Sequence, residues 1–278
     1  MVKLSAVQMC SVPDVNANLD AIEQQLESLE IAGQHLVVVP ECCLFFGARD
    51  VDQLTLAKAT AEDDALRQGL VRLAQKYRVY LVGGTIPTLA EQGDKFTNSS
   101  CVFSPQGEQL GRYDKIHLFD VQVQDNEKHY FESKYTQAGK SVEVVKTPFA
   151  NIGLSVCYDL RFPELYRQLR CRGADIITVP SAFTRVTGKA HWQTLLRARA
   201  IENQVFIVAA NQEGVHKNGR ETWGHSMIIS PWGEVLSGLE TGTGVATAEY
   251  SSEELEQVRE SIPVSEHNQF KTELMSYE

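Results

Sequence analysis

The sequence predicts one α/β domain whose sheets are covered by helices. Three observations carry this. Apolar runs of strand length alternate with stretches that repeat apolar residues at helical spacing, all along the chain. Paired runs around tight turns mix with longer crossovers, so hairpins and helix-linked strands share one fold. No linker, low-complexity segment or internal repeat divides the 278 residues, a length that suits two average domains or one large one.

Each element follows in order. Met1–Gln8 alternates like an edge strand. Val15, Leu19, Ile22, Leu26 and Leu29 then recur at helical spacing, with Asp14 available as N-cap. Val37–Val39 reads as a buried strand, Glu62 to about Tyr77 as a helix, and Val79–Val82 as a strand ending in Gly83-Gly84. Thr97–Phe103 and Glu108–Tyr113 flank Pro105-Gln106-Gly107 and predict a hairpin, as do Ser141–Thr147 and Asn151–Val156. A helix over Pro163–Arg172 stops at Gly173. Ile176–Val179 is a strand, Ala190–Asn203 a helix and Val205–Ala210 a strand, and a hairpin brackets Pro231-Trp232-Gly233. Ser251 and Glu254 form a capping box for a last helix ending at Pro263. Gln122–Thr136 fits no element, and a loop of that length usually has a function.

Composition excludes several classes of function. A formal charge of −10 argues against nucleic acid as partner, because phosphate contacts need clustered Lys and Arg. No run is long enough to cross a bilayer, and the N-terminus lacks a signal peptide's apolar core. The six cysteines form no Cys-x-x-Cys pair and no zinc spacing with histidine, so neither metal nor cofactor is expected. Reduced thiols and a cytoplasmic location follow from that pattern. Gly83-Gly84 alone carries no nucleotide site.

Three segments carry chemistry. Cys157 ends the apolar run Gly153-Leu154-Ser155-Val156 and precedes a turn and a helix start at Pro163-Glu164. A thiol there meets backbone N–H groups that lower its pKa and bind an oxyanion. Glu41 follows the strand run Leu36–Val39 and Pro40, and Lys115 lies in Gly111-Arg112-Tyr113-Asp114-Lys115-Ile116-His117-Leu118-Phe119-Asp120. Taken alone, each has a bland alternative: an inert buried thiol, a strand-end carboxylate and a solvated ammonium. Together they supply a nucleophile, a base and a cation for acyl transfer.

The order Glu41, Lys115, Cys157, with Tyr-Asp-Lys-Ile-His-Leu and Cys-Tyr-Asp-Leu-Arg-Phe-Pro-Glu around the last two, resembles the nitrilase superfamily of carbon–nitrogen hydrolases from residue 4 to about residue 265. Pro180–Thr184, Thr187–Trp192 and Leu195–Glu202 are similar to its deaminated glutathione amidase and ω-amidase branch. The resemblance implies a four-layer αββα sandwich, a domain over residues 1–265 with a divergent tail over 266–278, and a homodimer or higher homo-oligomer. It implies that Cys157 attacks, Glu41 moves the proton, and Lys115 with the backbone N–H of Tyr158 binds the oxyanion. It also implies a second glutamate, Glu132, that orients Lys115 or the substrate.

A carboxylate-bearing small amide needs a cation to hold it. Arg161, soon after the nucleophile, and Arg185 are the candidates, because a guanidinium grips a carboxylate with two bonds. An ion pair of structural purpose is the alternative for Arg161. Phe183, Thr184 and Thr187, on a strand-to-helix loop, are candidates for the pocket wall. His117, and His191 with Trp192, read as structural. The expected activity is amide hydrolysis of deaminated glutathione, with ω-amidase action on α-ketoglutaramate, carbamoyl hydrolysis, or a silent metabolite-binding scaffold as rivals.

Overall fold

The structure is a computed structural model that describes residues 1–123 and 129–275. The first half of the chain builds one sheet. It runs β1 (Val2–Gln8), α1 (Val15–Glu27), β2 (Gln34–Val38), α2 (Asp50–Ala59), α3 (Ala65–Tyr77), β3 (Tyr80–Val82), β4 (Ile86–Leu89), β5 (Phe96–Phe103) and β6 (Gln109–Asp114). An arm follows, with β7 (Asp120–Gln122) and β8 (His129–Phe131). The second half runs β9 (Val144–Lys146), β10 (Asn151–Leu154), α4 (Pro163–Cys171), β11 (Ile176–Thr178), α5 (Arg185–Asn203), β12 (Phe206–Ala209), β13 (Glu213–Val215), β14 (Glu221–Trp223), β15 (Met227–Ile229), β16 (Val235–Gly238), β17 (Gly244–Tyr250), α6 (Ser252–Ser261) and α7 (Val264–His267).

Two sheets stack. The seven-stranded sheet has the order β17-β1-β2-β3-β5-β4, with β6 added on β5, and the six-stranded sheet has the order β16-β15-β12-β11-β10-β9. Strand alternation explains how each sheet serves two cores. Leu4, Ala6, Leu36 and Val38 point to the inter-sheet core, where they meet Ile152, Leu154 and Phe206. Val7, Val37 and Val39 point the other way, under Ile22 and Leu26 of α1 and Leu66, Leu70 and Leu73 of α3. Leu165, Tyr166 and Leu169 of α4 and Trp192, Leu196 and Ala200 of α5 cover the second sheet. The result is the expected αββα sandwich in one domain.

Most boundaries match the reading above, including Asp14 as the α1 cap, with its carboxylate accepting from Ala17 N–H at 3.0 Å. Four differ. β1 is not an edge: β17 pairs with it antiparallel from the far end of the chain, and Leu4–Gln8 are buried. α2 went unread because its apolar residues do not recur at helical spacing, and β4 is only four residues long. α5 begins at Arg185 rather than Ala190, because Thr184 caps it while its first turn carries little apolar signal. The unassigned stretch 122–136 contains β8 and a 3-10 turn at Glu132–Lys134, and its residues 124–128 lie outside the described residues. After α6, α7 adds one short helical turn over Val264–His267.

Candidate active site

The ends of β2, β6 and β10 meet at one cavity lined by Glu41, Lys115, Glu132 and Cys157. Each residue arrives through a local backbone device. Val39 N–H bonds Val82 O at 3.1 Å, which carries the β2 pairing one residue further and delivers Pro40-Glu41 at the sheet's end. Gly84, at φ +52°, lies so close to Pro40 that a Cβ there would stand 2.0 Å from the Pro40 carbonyl oxygen. That explains half of the Gly83-Gly84 pair: only glycine lets the two backbones approach. Lys115 follows β6 directly, and its N–H bonds Asn98 O on β5 at 3.0 Å. Cys157 ends the β10 segment at φ +47° and donates its N–H to Pro180 O at 2.9 Å. This is a left-handed conformation that a residue with a Cβ adopts at a cost of about 1–2 kcal/mol. It turns the thiol off the strand and into the cavity.

Hydrogen bonds fix the charges around the thiol. Lys115 Nζ donates to Glu41 Oε1 at 2.9 Å and to both Glu132 oxygens, at 3.1 and 2.9 Å. Asn98 Nδ2 donates to Glu41 Oε1 at 3.0 Å, and Ala182 N–H donates to Glu41 Oε2 at 3.0 Å. Phe119 N–H donates to Glu132 Oε2 at 2.7 Å. The arm that carries Glu132 is in turn laced to β5, by Phe96 N–H to Tyr135 O and Gln137 N–H to Phe96 O. Both carboxylates are therefore held by named donors, as buried charges must be.

Electrostatics sets the protons. Burial alone would push the Lys115 pKa down, but the charges of Glu132 and Glu41 outweigh it and hold the ammonium well above the ordinary lysine value. Burial pushes Glu132 up, against the pull of Lys115. Burial and the Glu41 charge hold the Cys157 thiol well above the ordinary cysteine value, and Lys115 only partly opposes them. The sequence led us to expect the reverse, a thiol lowered by backbone N–H groups. A thiolate in this dry site would lose its hydration and meet the charge of Glu41. Cys157 therefore rests as a neutral thiol, with Glu41 beside it.

The other predicted residues divide. Tyr158, Phe183, Thr184 and Thr187 line the cavity. Thr187 lies in the first turn of α5, its Oγ1 2.8 Å from that of Thr184. Arg161 and Arg185 are not among the lining residues. The Arg161 guanidinium sits over the Phe183 ring at 5.2 Å and bonds His191 at 3.2 Å, behind the cavity wall. Arg185 pairs with Glu221 at 3.1 Å. The lining cation that the sequence reading missed is Arg220, which lies over the rings of Phe46 at 5.1 Å and Tyr130 at 4.9 Å. Its position comes from the β13–β14 hairpin, pinned by Trp223 N–H to Phe183 O and by Asn218 Nδ2 to Gly47 O. The dipeptide Asn218-Gly219 was the available signal, since it marks a hairpin turn. Cys42, beside Glu41, also lines the cavity, whereas Cys43 packs in the core. Among the described residues no group of three or more His, Cys, Asp or Glu is arranged to hold a metal ion.

A layered α/β fold with a buried thiol, paired carboxylates and an ammonium around one cavity defines a cysteine-dependent hydrolase. The chain belongs to the carbon–nitrogen hydrolase family, whose model matches residues 3–260, and it is an amidase of that family. It is 41% identical over 273 residues to a deaminated glutathione amidase of Yersinia enterocolitica, covering 98% of this chain and 94% of that protein. It is 34% identical to the omega-amidase NIT2 of Xenopus tropicalis, covering 94% of this chain and 93% of that one. Among solved structures it resembles the NitFhit protein of C. elegans, with a TM-score of 0.86 and 36% identity over 96% of this chain. It spans 65% of that longer chain.

Proposed function

We propose that the chain hydrolyses the amide bond of deaminated glutathione, releasing 2-oxoglutarate and cysteinylglycine through a thioester on Cys157. Glu41 takes the thiol proton as Sγ attacks the amide carbon. Lys115 Nζ and the Tyr158 backbone N–H receive the developing oxyanion, where one such donor is worth about 3–4 kcal/mol of barrier. Glu41 passes its proton to the leaving nitrogen, and the C–N bond breaks. Water then attacks the thioester carbon while Glu41 takes one of its protons. Cys157 leaves, and the proton on Glu41 returns to it. Glu132 keeps Lys115 charged and aimed through its two bonds to Nζ.

One observation carries this reading: Glu41 and Lys115 bond each other at 2.9 Å in the same cavity that Cys157 and Arg220 line. The reacting groups thus face a cation able to hold a substrate carboxylate. Phe183, Thr184 and Thr187 form the wall beside it, Arg161 stands behind Phe183, and Arg185 pairs with Glu221 outside the lining. The relatives' names support the α-ketoglutaramyl acyl group, which deaminated glutathione and α-ketoglutaramate share, and action on the latter is the second reading. We also propose a homodimer or higher homo-oligomer in the cytoplasm. Val186 and Ile201, each 48% exposed on α5, support an interface, and six free thiols support a reducing compartment.

The test is a panel of deaminated glutathione, α-ketoglutaramate, carbamoyl amino acids and nitriles, scored for release of amine or ammonia. Highest kcat/KM on deaminated glutathione is expected. Highest kcat/KM on α-ketoglutaramate selects the second reading, and turnover of carbamoyl compounds or nitriles alone overturns both.

A further inference from the structure

Asp159 is fully buried and belongs to none of the steps above. It lies two residues past the nucleophile, in the 3-10 turn Cys157–Arg161. Its Oδ2 accepts from Val156 N–H at 2.8 Å and from Tyr113 O–H at 2.8 Å. Its Oδ1 accepts from His117 N–H at 3.1 Å and stands 2.7 Å from His117 Nδ1. Tyr113 Oη also accepts from Ile116 N–H at 3.2 Å. His117 is clamped further by stacking on Phe162, ring centroids 3.7 Å apart.

Two things converge on this one carboxylate. Val156 is the residue before Cys157, so the bond to its N–H closes the turn that holds the nucleophile at positive φ. Tyr113, Ile116 and His117 flank Lys115 on both sides. Lys115 comes from the end of the seven-stranded sheet and Cys157 from the end of the six-stranded one, and no other residue named above bonds both flanks. A buried carboxylate is costly unless several donors meet it, and here the donors are the two backbones whose separation decides whether an oxyanion reaches Nζ.

We propose that Asp159 is a positioning residue that fixes the Lys115 segment against the Cys157 elbow, and so sets the distance from thiol to oxyanion-binding ammonium. The inference rests on Cys157 and Lys115 having the roles proposed above. It explains why Tyr113 is buried with its hydroxyl intact, and it gives His117 a task without acid–base chemistry.

The test compares Asp159→Asn and Tyr113→Phe in the full chain. An asparagine amide nitrogen cannot accept, so either Val156 N–H or His117 N–H must lose its acceptor. Asp159→Asn, folded by circular dichroism, is expected to lose about a hundredfold in kcat, as for a misplacement near 1 Å, with KM within about threefold. Tyr113→Phe removes one of the two links to the Lys115 side, leaving the one through His117, and is expected to lose about tenfold in kcat, again with KM held. The double variant should be no slower than Asp159→Asn, because both act through one carboxylate. Full kcat in folded Asp159→Asn, full kcat in folded Tyr113→Phe, or losses that multiply in the double variant would each overturn the proposal. If Asp159→Asn does not fold, Tyr113→Phe decides alone. Cys157→Ser is assayed in parallel: if it stays active the site assignment fails, and if it is inactive beside a fully active Asp159→Asn only this inference fails.

Discussion

At the scale of single residues, the neutral thiol is the feature with most consequence. Burial and the Glu41 charge keep the proton on Cys157, so the enzyme must move it during attack rather than store a thiolate. Cys157→Ser retains the shape but leaves Glu41 a far less acidic hydroxyl. We expect kcat to fall by more than about a thousandfold with the melting temperature unchanged. Substantial turnover by the folded serine variant, measured as amine release, would remove the nucleophile assignment. A second prediction concerns recognition. Arg220 is the arginine that lines the cavity; a guanidinium can meet a carboxylate with two bonds, and lysine keeps the charge without the fork. Arg220→Lys should lower kcat/KM on an α-keto acid amide by about 1.5–3 kcal/mol more than on an uncharged analogue. Equal losses on both would assign Arg220 to the packing of Phe46 and Tyr130 and return attention to Arg161.

At the scale of elements, the site depends on close approaches between strand ends. Gly84 follows β3, and its α-carbon abuts the Pro40 carbonyl, one residue before the proposed base. Alanine there must carry a left-handed φ and displace Pro40. Gly84→Ala should therefore cost more than about 2 kcal/mol of stability and lower kcat more than KM, because Glu41 moves with Pro40. Thermal melts and steady-state kinetics check both parts, and a stable, fully active variant would show that the turn can give way without moving Glu41. The arm with β7 and β8 makes the same point from the other side. It brings Glu132 to Lys115, and Ser133 N–H to Asp120 Oδ1 at 2.9 Å ties its two strands to the turn that carries the glutamate.

For the molecule as a whole, two buried histidines predict how stability depends on pH. Burial, with Lys3 nearby, lowers His35 to about 4, and burial lowers His216 to about 4 as well, against the pull of the Ser11 carbonyl. In the unfolded chain both protonate near 6.5. Below that value the unfolded state binds more protons, so stability is full above pH 6.5 and is lost as pH falls toward 4. Between about pH 6.5 and 5, each histidine should remove about 2 kcal/mol. Unfolding midpoints in urea across that window measure it. His216→Gln should flatten the slope by about half, and an unchanged slope would mean that other groups set the acid limit.

The three residues that we propose for the chemistry stand at strand ends. Cys157 and Glu41 could be picked out because each follows a short apolar run, and Lys115 because of the Tyr-Asp-Lys-Ile-His-Leu motif around it. Helix α1 with its Asp14 cap, the β5–β6 hairpin and the layered α/β class were legible for the same reason: caps, turns and periodicity act over a few residues. What depended on distant parts of the chain was not legible. β1 reads as an edge until β17 pairs with it, and Arg220 means nothing until its hairpin docks on Phe183 and Gly47. Asp159 reads as one more turn residue until Tyr113 and His117 arrive from the other sheet. The proton on Cys157 belongs to the same class. A thiol's pKa follows from what surrounds it, and only the tertiary structure removes the water and brings two carboxylates to a single ammonium.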